Sequence, residues 1–373
     1  MIIGVPKEIK NNENRVSVTP AGVHALVRHG HKVIIQKTAG LGSGITDEEY
    51  AGAGAVMLAE NTEIYNGADI IVKVKEPLES EYDLFREGQV LFTYLHLAPN
   101  PGLANALLKN KVTGIAYETV EANGGQLPLL APMSEVAGRM SIQVGAYLLQ
   151  KSNGGEGILL GGVPGVLPAE VLIIGGGVVG VNAARMASGM GARVTVMDVN
   201  KARLSYLDEI FSGRISTLIY SEYLAAEMVK KTDLLVGAVL VTGARAPKTV
   251  TEEMVRTMKK GSVIVDVAID QGGSIGTIDR ITTHDNPYYE KHGIIHYSVA
   301  NMPGAVPRTS TYALAGVTLP YLLEIAYRGA ERAMLGNRAL LKGLNTYDGH
   351  ATHPAVAESL GLEYVSPEKC ILE

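Results

Sequence analysis

The sequence predicts an α/β chain of two domains, each built on a mostly parallel sheet with helices on both faces. Three observations predict it. The chain has 373 residues, and a single hydrophobic core stops growing at roughly 250–300 residues. Short apolar runs alternate with amphipathic ones, once before residue 151 and again after residue 170, as βα units require. At the start of the second series, a glycine-rich stretch containing Gly175, Gly176, Gly177 and Gly180 joins an apolar run to a small-residue helical pattern.

In chain order, residues 2–4, 32–36, 69–74, 89–93 and 112–117 read as strands, and 20–29, 47–53 and 100–110 as the helices between them. Residues 134–151 read as one long helix opened by Ser134, followed by a loop over 152–168. The second series places buried strands at 171–174, 193–198, 215–219, 234–237, 262–267 and 295–298. Such a βα series is the composition of a doubly wound, Rossmann nucleotide-binding domain. After Pro307 the pattern turns helical over 311–328 and 329–343. The tail is expected to pack back on the first domain. Residues 1–130 and 305–373 then form one Rossmann-like domain from N- and C-terminal segments, and residues 131–304 form the nucleotide-binding domain.

Composition narrows the function classes. Hydrophobic residues make up 46% of the chain and charged residues 19%, enough for a sizeable core and against disorder. The net charge of −5 comes without any basic block, so nucleic acid is not the expected partner. Cys370 is the single cysteine, which excludes an internal disulfide and a cysteine metal site and fits a reducing cytoplasm; no metal is expected. The N-terminus does not read as a signal peptide. Residues 157–184 carry Glu170 as their one charge, but Pro164, Pro168 and the glycines break any single membrane-spanning helix, so no membrane partner is expected either.

The sharpest motif is G-x-G-x-x-G at Gly175, Gly177 and Gly180, placed after a strand and opening a helix. Gly175 permits the tight turn, Gly177 lets the backbone approach a pyrophosphate, and Gly180 allows close helix–strand packing. The pyrophosphate belongs at the helix N-terminus, where Val178 and Val179 begin the first turn. Asp198 ends the next strand, 18 residues after Gly180, where a carboxylate bonds ribose hydroxyls and repels a 2′-phosphate. NAD is therefore favoured over NADP, with Arg203 nearby as the one residue that could tolerate the phosphate.

Four side chains are candidates for chemistry. Arg15 suits bidentate carboxylate binding, although in isolation it also reads as a solvated surface arginine. Lys75 stands at the carboxyl end of a strand, where ligands bind in open α/β sheets, with Lys73 as its competitor. His96 lies just past an apolar strand and can exchange protons near neutral pH; a hydrogen-bonded structural histidine is the alternative. Asp270 follows an apolar strand of the nucleotide domain and precedes glycines, whereas Asp266 falls inside that strand and reads as structural. Asn301-Met302-Pro303-Gly304 is either a pocket-lining turn or a linker.

These residues lie in blocks that resemble the alanine dehydrogenase family. They are Gly4-Val5-Pro6-Lys7-Glu8-Ile9-Lys10 with Glu13-Asn14-Arg15-Val16, Val72-Lys73-Val74-Lys75-Glu76-Pro77, and Leu91-Phe92-Thr93-Tyr94-Leu95-His96-Leu97. Further blocks are Gly161-Gly162-Val163-Pro164-Gly165-Val166, Asp266-Val267-Ala268-Ile269-Asp270 and Asn301-Met302-Pro303-Gly304-Ala305-Val306-Pro307, and the likeness continues to His353-Pro354. The family shares ancestry with the NAD-binding subunit of proton-translocating transhydrogenase and with saccharopine dehydrogenases.

The resemblance implies reversible oxidative deamination, in which L-alanine, NAD and water give pyruvate, ammonia and NADH. It implies that Arg15 and Lys75 hold the substrate and that His96 and Asp270 are catalytic. It implies cofactor contacts at Ser134, Asp198, Arg203, Val239, Leu240, Val267, Ala268, Ile269, Asp270, Ser298, Val299, Ala300 and Asn301, with Arg280 in a variable stretch as a further one. It also implies a homohexamer. The chain departs from the family at Tyr220, where a serine often contacts the adenosine side. Two other readings stand beside this one: a soluble NAD-binding subunit that passes reducing equivalents to a partner chain, and a non-catalytic NAD sensor. The complete set of Arg15, Lys75, His96 and Asp270 argues against the first.

Overall fold

The structure, a computed structural model, describes residues 1–239 and 246–372. Leu240, expected at the cofactor, lies outside the described residues. The chain forms two compact units, Met1–Met133 with Val306–Glu373, and Ser134–Ala305.

The strands in chain order begin with β1 (Ile2–Val5), β2 (Lys32–Gln36), β3 (Val56–Leu58), β4 (Ile70–Val72), β5 (Val90–Thr93) and β6 (Thr113–Ala116). Then come β7 (Glu170–Ile174), β8 (Arg193–Asp198), β9 (Ser216–Ile219), β10 (Leu234–Gly237), β11 (Val263–Asp266), β12 (Tyr288–Lys291) and β13 (Ile294–Tyr297). Two more, β14 (Leu344–Tyr347) and β15 (His350–Ala351), lie in the tail.

Among the described residues, the first unit holds an eight-stranded sheet in the order β15-β14-β6-β5-β4-β1-β2-β3. Strands β1 to β6 pair in parallel, while β14 runs antiparallel to β6 and β15 antiparallel to β14. The second unit holds a seven-stranded sheet in the order β12-β13-β11-β10-β7-β8-β9, parallel except for β12. Each sheet winds outward in both directions from its own first strand, so a switch point lies between β1 and β4 and another between β7 and β10. Ligands of open α/β sheets bind at the carboxyl ends of strands beside such a switch.

The central strands are buried on both faces; every residue of β4, β5, β6, β10 and β11 is buried. This is why they read as unbroken apolar runs rather than alternating ones. Ile64, Tyr65, Leu91, Leu103 and Leu107 lead the core on one side of the first sheet, and Leu172, Leu235, Val255, Ile264 and Ile294 lead its counterpart in the second. Each fully buried side chain of this kind contributes about 1.5–3 kcal/mol. The connecting helices start on capping residues. Thr19 accepts from the Gly22 N–H ahead of Pro20, and Asn100 accepts from the Leu103 N–H ahead of Pro101.

Several expectations need correction. Ser134 does not open its helix, which spans Ala131–Leu148 and carries Ser134 in its fourth position. Pro132 belongs in a first turn, where its missing N–H costs no hydrogen bond. The 329–343 stretch is two helices, Ala330–Gly336 and Arg338–Lys342. Asn337 breaks them apart because its Oδ1 accepts from the Ala339 and Leu340 N–H groups. The tail is also not wholly helical, since β14 and β15 extend the first sheet. Strands β3 and β12 were not foreseen either. They are short edge strands of three and four residues with no fully buried position, so they leave little apolar signal. No helix among the described residues is long and apolar enough to cross a membrane. The 157–184 stretch divides into loop, β7 and the start of the helix Val178–Gly189.

Candidate active site

In the first unit, three neighbouring strands deliver three of the four candidate side chains. β1, β4 and β5 are adjacent; Arg15 follows β1, Lys75 follows β4 and His96 follows β5.

Arg15 is not a surface arginine: it is 2% exposed. Its Nε donates to Glu13 Oε1 at 2.7 Å and its Nη2 to Glu13 Oε2 at 2.5 Å, a fork-to-fork pair. Burial works against its charge, but the bonds to Glu13 outweigh that and raise its pKa. Nη1 donates to the Met133 sulfur at 3.1 Å. A thioether is a weak acceptor.

The two lysines after β4 differ in kind. Lys73 is 1% exposed and sits between two carboxylates, 3.2 Å from Glu8 Oε2 and 3.1 Å from Glu81 Oε1. It is structural. Lys75 is half-buried; its N–H donates to Glu8 Oε1 at 3.3 Å and its carbonyl accepts from Thr93 Oγ1 at 3.0 Å. Thr93 ends β5, so its hydroxyl ties the Lys75 backbone to the strand that leads to His96.

His96 has φ 45°, the left-handed region that a non-glycine residue occupies only when its surroundings hold it there. Glu118 does so. Its Oε1 accepts from the His96 N–H at 2.7 Å, and both its oxygens accept from the Leu95 N–H at 3.2 Å. The His96 Nδ1 lies 3.9 Å from Glu118 Oε1, and the ring stacks on Tyr94 at 5.9 Å and 10°. Tyr94 is fixed by donating to the Leu129 carbonyl at 2.6 Å, and burial pushes its phenol up. The side chain of His96 is 40% exposed.

In the second unit, the glycine loop follows β7 and opens the helix Val178–Gly189. Gly175 has φ 105°, and a Cβ there would stand 2.5 Å from the Ala238 carbonyl oxygen. A Cβ on Gly180 would fall 1.9 Å from the Gly175 carbonyl oxygen. Gly177 differs: a Cβ there meets nothing within 4 Å, so its glycine leaves room for something outside the protein. Gly177 is also the N-cap and brings no side-chain oxygen to the first N–H groups of the helix. Those donors and the helix dipole suit a phosphate.

Asp198 accepts from the Gly176 N–H at 2.6 Å and the Asn200 N–H at 2.8 Å. Arg203 Nε donates to the Gly176 carbonyl, and its guanidinium lies 4.9 Å from the Tyr206 ring centroid. The Gly176 peptide is thus gripped from both sides, and Arg203 is tied to the loop. These features fit a dinucleotide.

Asp270 is exposed on the 3-10 turn Val267–Gln271 that follows β11. The buried Asp266 shapes that turn, accepting from the N–H groups of Ala268, Ser274 and Ile275 at 2.7–3.0 Å. Burial raises the Asp266 pKa against these bonds. Lys248 Nζ donates to the carbonyls of Gly272, Gly273 and Ile275 at 2.8–3.2 Å. Ala268, Ile269, Ser298 and Val299 are buried. Val239, Val267, Ala300, Asn301 and Ser134 are partly exposed. Arg280 is exposed, paired with Asp279 at 2.8 Å, and lies 4.5 Å from the Tyr289 ring centroid. Tyr220 donates to the Thr249 carbonyl at 2.8 Å. Among the described residues, no group of three or more His, Cys, Asp or Glu could hold a metal ion.

Sequence reasoning missed Glu8, Glu13, Glu118 and Lys248 as partners of the site. Glu13 lies two residues from Arg15 and was findable from that spacing. Glu118 is 22 residues from His96, and no local pattern connects them.

The sequence profile described as "Alanine dehydrogenase/PNT, N-terminal domain" matches residues 4–137, and its C-terminal counterpart matches residues 141–354. The chain is 65% identical to "Alanine dehydrogenase" of Methanococcus maripaludis over 373 residues, all of both proteins. It is 60% identical to "Alanine dehydrogenase" of Bacillus subtilis over 371 residues, 98% of that protein. A solved structure titled "L-alanine dehydrogenase" superposes with a TM-score of 0.94 at 50% identity, covering 97% of this chain and 99% of that one. A transhydrogenase structure from Sinorhizobium meliloti gives 0.80 at 26% identity, covering 95% of this chain and 100% of that one.

Proposed function

The chain belongs to the alanine dehydrogenase/PNT family, and from that premise we propose that it catalyses the reversible, NAD-dependent oxidative deamination of L-alanine to pyruvate and ammonia. The observation that carries the reading is the 65% identity, over the full length of both proteins, to a relative named alanine dehydrogenase. The transhydrogenase likeness is weaker, at 26% identity and a TM-score of 0.80.

NAD supplies the two-electron acceptor for oxidation at the substrate Cα. Gly175, Gly177, Val178, Val179 and Gly180 hold its pyrophosphate, with Asp198 on the ribose and Arg203 bracing the loop beneath. The 267–270 turn and residues 298–301 meet the nicotinamide end.

Arg15 binds the substrate carboxylate through its Nη1 edge while Glu13 holds the planar guanidinium in orientation. Lys75 provides a second cation for the carboxylate or the keto oxygen. His96 is the general acid–base: it takes a proton from the water that adds to the imine, and in reverse it protonates the departing hydroxyl. Glu118 keeps the imidazole facing its task. Asp270 accepts a hydrogen bond from the substrate nitrogen and favours its positive charge. The enzyme works in the cytoplasm as a homo-oligomer, a hexamer by family resemblance.

The test follows NADH absorbance with purified protein, NAD and L-alanine, and in reverse with NADH, pyruvate and ammonium. Fast turnover both ways, with little on NADP, is expected. NADH binding without turnover on any amino acid would sink the dehydrogenase reading in favour of a subunit that reduces a partner chain. Light scattering of the eluted protein tests the hexamer.

A further inference from the structure

Behind the strand ends of the first unit lies a buried ionic cluster to which the mechanism gives no part. Glu8, Lys73 and Glu81 are 7%, 1% and 0% exposed, and Tyr65 is 0% exposed. Lys73 Nζ pairs with Glu8 Oε2 at 3.2 Å and Glu81 Oε1 at 3.1 Å. Tyr65 donates to Glu81 Oε1 at 2.9 Å, and Glu81 Oε2 accepts from the Leu78 N–H at 2.9 Å. Such a cluster is a poor source of net stability, because desolvating charges costs about as much as their pairing returns. Its geometry shows another use. The second oxygen of Glu8, Oε1, accepts from the Val74 N–H at 2.6 Å and the Lys75 N–H at 3.3 Å.

We propose that Glu8 is a positioning residue for Lys75, fixing the backbone that aims the lysine, with Lys73 and Glu81 locking the carboxylate of Glu8 in one orientation. This rests on the reading of Lys75 as a substrate-binding group. The wiring is specific. Lys73, Val74 and Lys75 leave β4 in succession. Glu8 takes the side-chain charge of the first and the N–H groups of the next two. Thr93 holds the carbonyl of Lys75 from the other side at 3.0 Å. Glu8 itself enters three residues after β1, the strand paired with β4. One carboxylate therefore couples the segments after both strands at the switch point. Glu81 supplies the second negative charge, so Lys73 stays turned toward the cluster.

The experiment measures pyruvate binding to the enzyme–NADH complex by NADH fluorescence, with no ammonium present so that nothing turns over. Wild type, Glu8→Asp, Lys75→Ala and the double variant form a cycle. Glu8→Asp keeps the charge but draws the acceptor back from both N–H groups. It should weaken pyruvate binding about tenfold or more and leave the NADH dissociation constant unchanged. In the Lys75→Ala background the same change should have no further effect, because the group it positions is gone. Equal losses in both backgrounds, or none in either, overturn the proposal. Should Glu8→Asp fail to fold, the isosteric Glu8→Gln takes its place in the cycle. Its neutral oxygen accepts about half as strongly, and a loss of about threefold is expected with Lys75 present and none without it. An unchanged pyruvate affinity in Lys75→Ala itself removes the substrate-binding reading, and this inference with it. A weakened Lys75→Ala combined with additive Glu8 effects removes this inference alone.

Discussion

The two sheets end in opposite kinds of chemistry. At the carboxyl edge of the second sheet, the cradle is backbone: Gly175 and Gly180 let backbone pack closely, Gly177 leaves open space at the helix N-terminus, and Asp198 and Asp266 accept from N–H donors. At the edge of the first sheet, the equivalent positions carry charged side chains in pairs: Arg15 with Glu13, Lys73 with Glu8 and Glu81, and His96 beside Glu118. On the proposed reading the same winding serves two tasks. A dinucleotide pyrophosphate is recognised by dipoles and space. A small amino acid, with one carboxylate and one nitrogen, needs charges set at fixed points and held there by further charges.

The largest test of this contrast is at His96. Exchanging it for glutamine should lower turnover by about 100- to 10,000-fold while NADH titration stays at the wild-type value. A fall in NADH affinity of comparable size would mean that the two edges do not divide the work. Next is Arg15. Its replacement by methionine removes the bidentate partner of Glu13, whose side chain is 0% exposed, and should cost about 3–5 kcal/mol of stability in urea unfolding. A loss under about 1 kcal/mol, the range of surface pairs, would show that the pair is not buried in solution.

The third test turns on the state of buried groups. In the second unit, burial pushes His296 down to about 4 from an ordinary value of 6.5. Its Nδ1–H donates to the Ile294 carbonyl at 2.9 Å, and its Nε2 accepts from Thr277 Oγ1 at 2.8 Å, so it is held neutral. The unfolded chain binds the proton more readily than the folded one. The stability from this residue is complete above pH 6.5 and is lost as pH falls through about 4; its ceiling is about 3 kcal/mol. Urea midpoints measured across that window should fall more steeply for the wild type than for His296→Gln, and parallel curves would refute the assignment. The smallest effect is expected at Gly177→Ala. It should lower the melting temperature by no more than about 2–4 °C, the cost of alanine at an N-cap, because a Cβ there meets nothing within 4 Å, yet weaken NADH binding about tenfold by standing where the backbone must approach phosphate. Unchanged NADH binding would move the pyrophosphate away from this loop.

How much was legible in advance follows the same division. The place of the glycine loop between strand and helix, and of Asp198 at a strand end, could be read because both depend on neighbouring residues alone. Arg15 could be named but not understood: its burial depends on Met133, 118 residues away in sequence. Lys73 and Lys75 could not be separated, since both follow the same apolar run and only the depth of Glu8 and Glu81 tells them apart.

The alternation of apolar and amphipathic runs determined the α/β class, and the spacing of glycines determined the tight turn between β7 and the helix that follows it, because periodicity and φ preference are properties of neighbouring residues. Tertiary structure alone decided that β14 and β15 extend the first sheet, that Glu118 holds His96 at φ 45°, and that one buried carboxylate braces the segment carrying Lys75. Those outcomes depend on which distant segments share a low-dielectric interior, where every charge must find its partner.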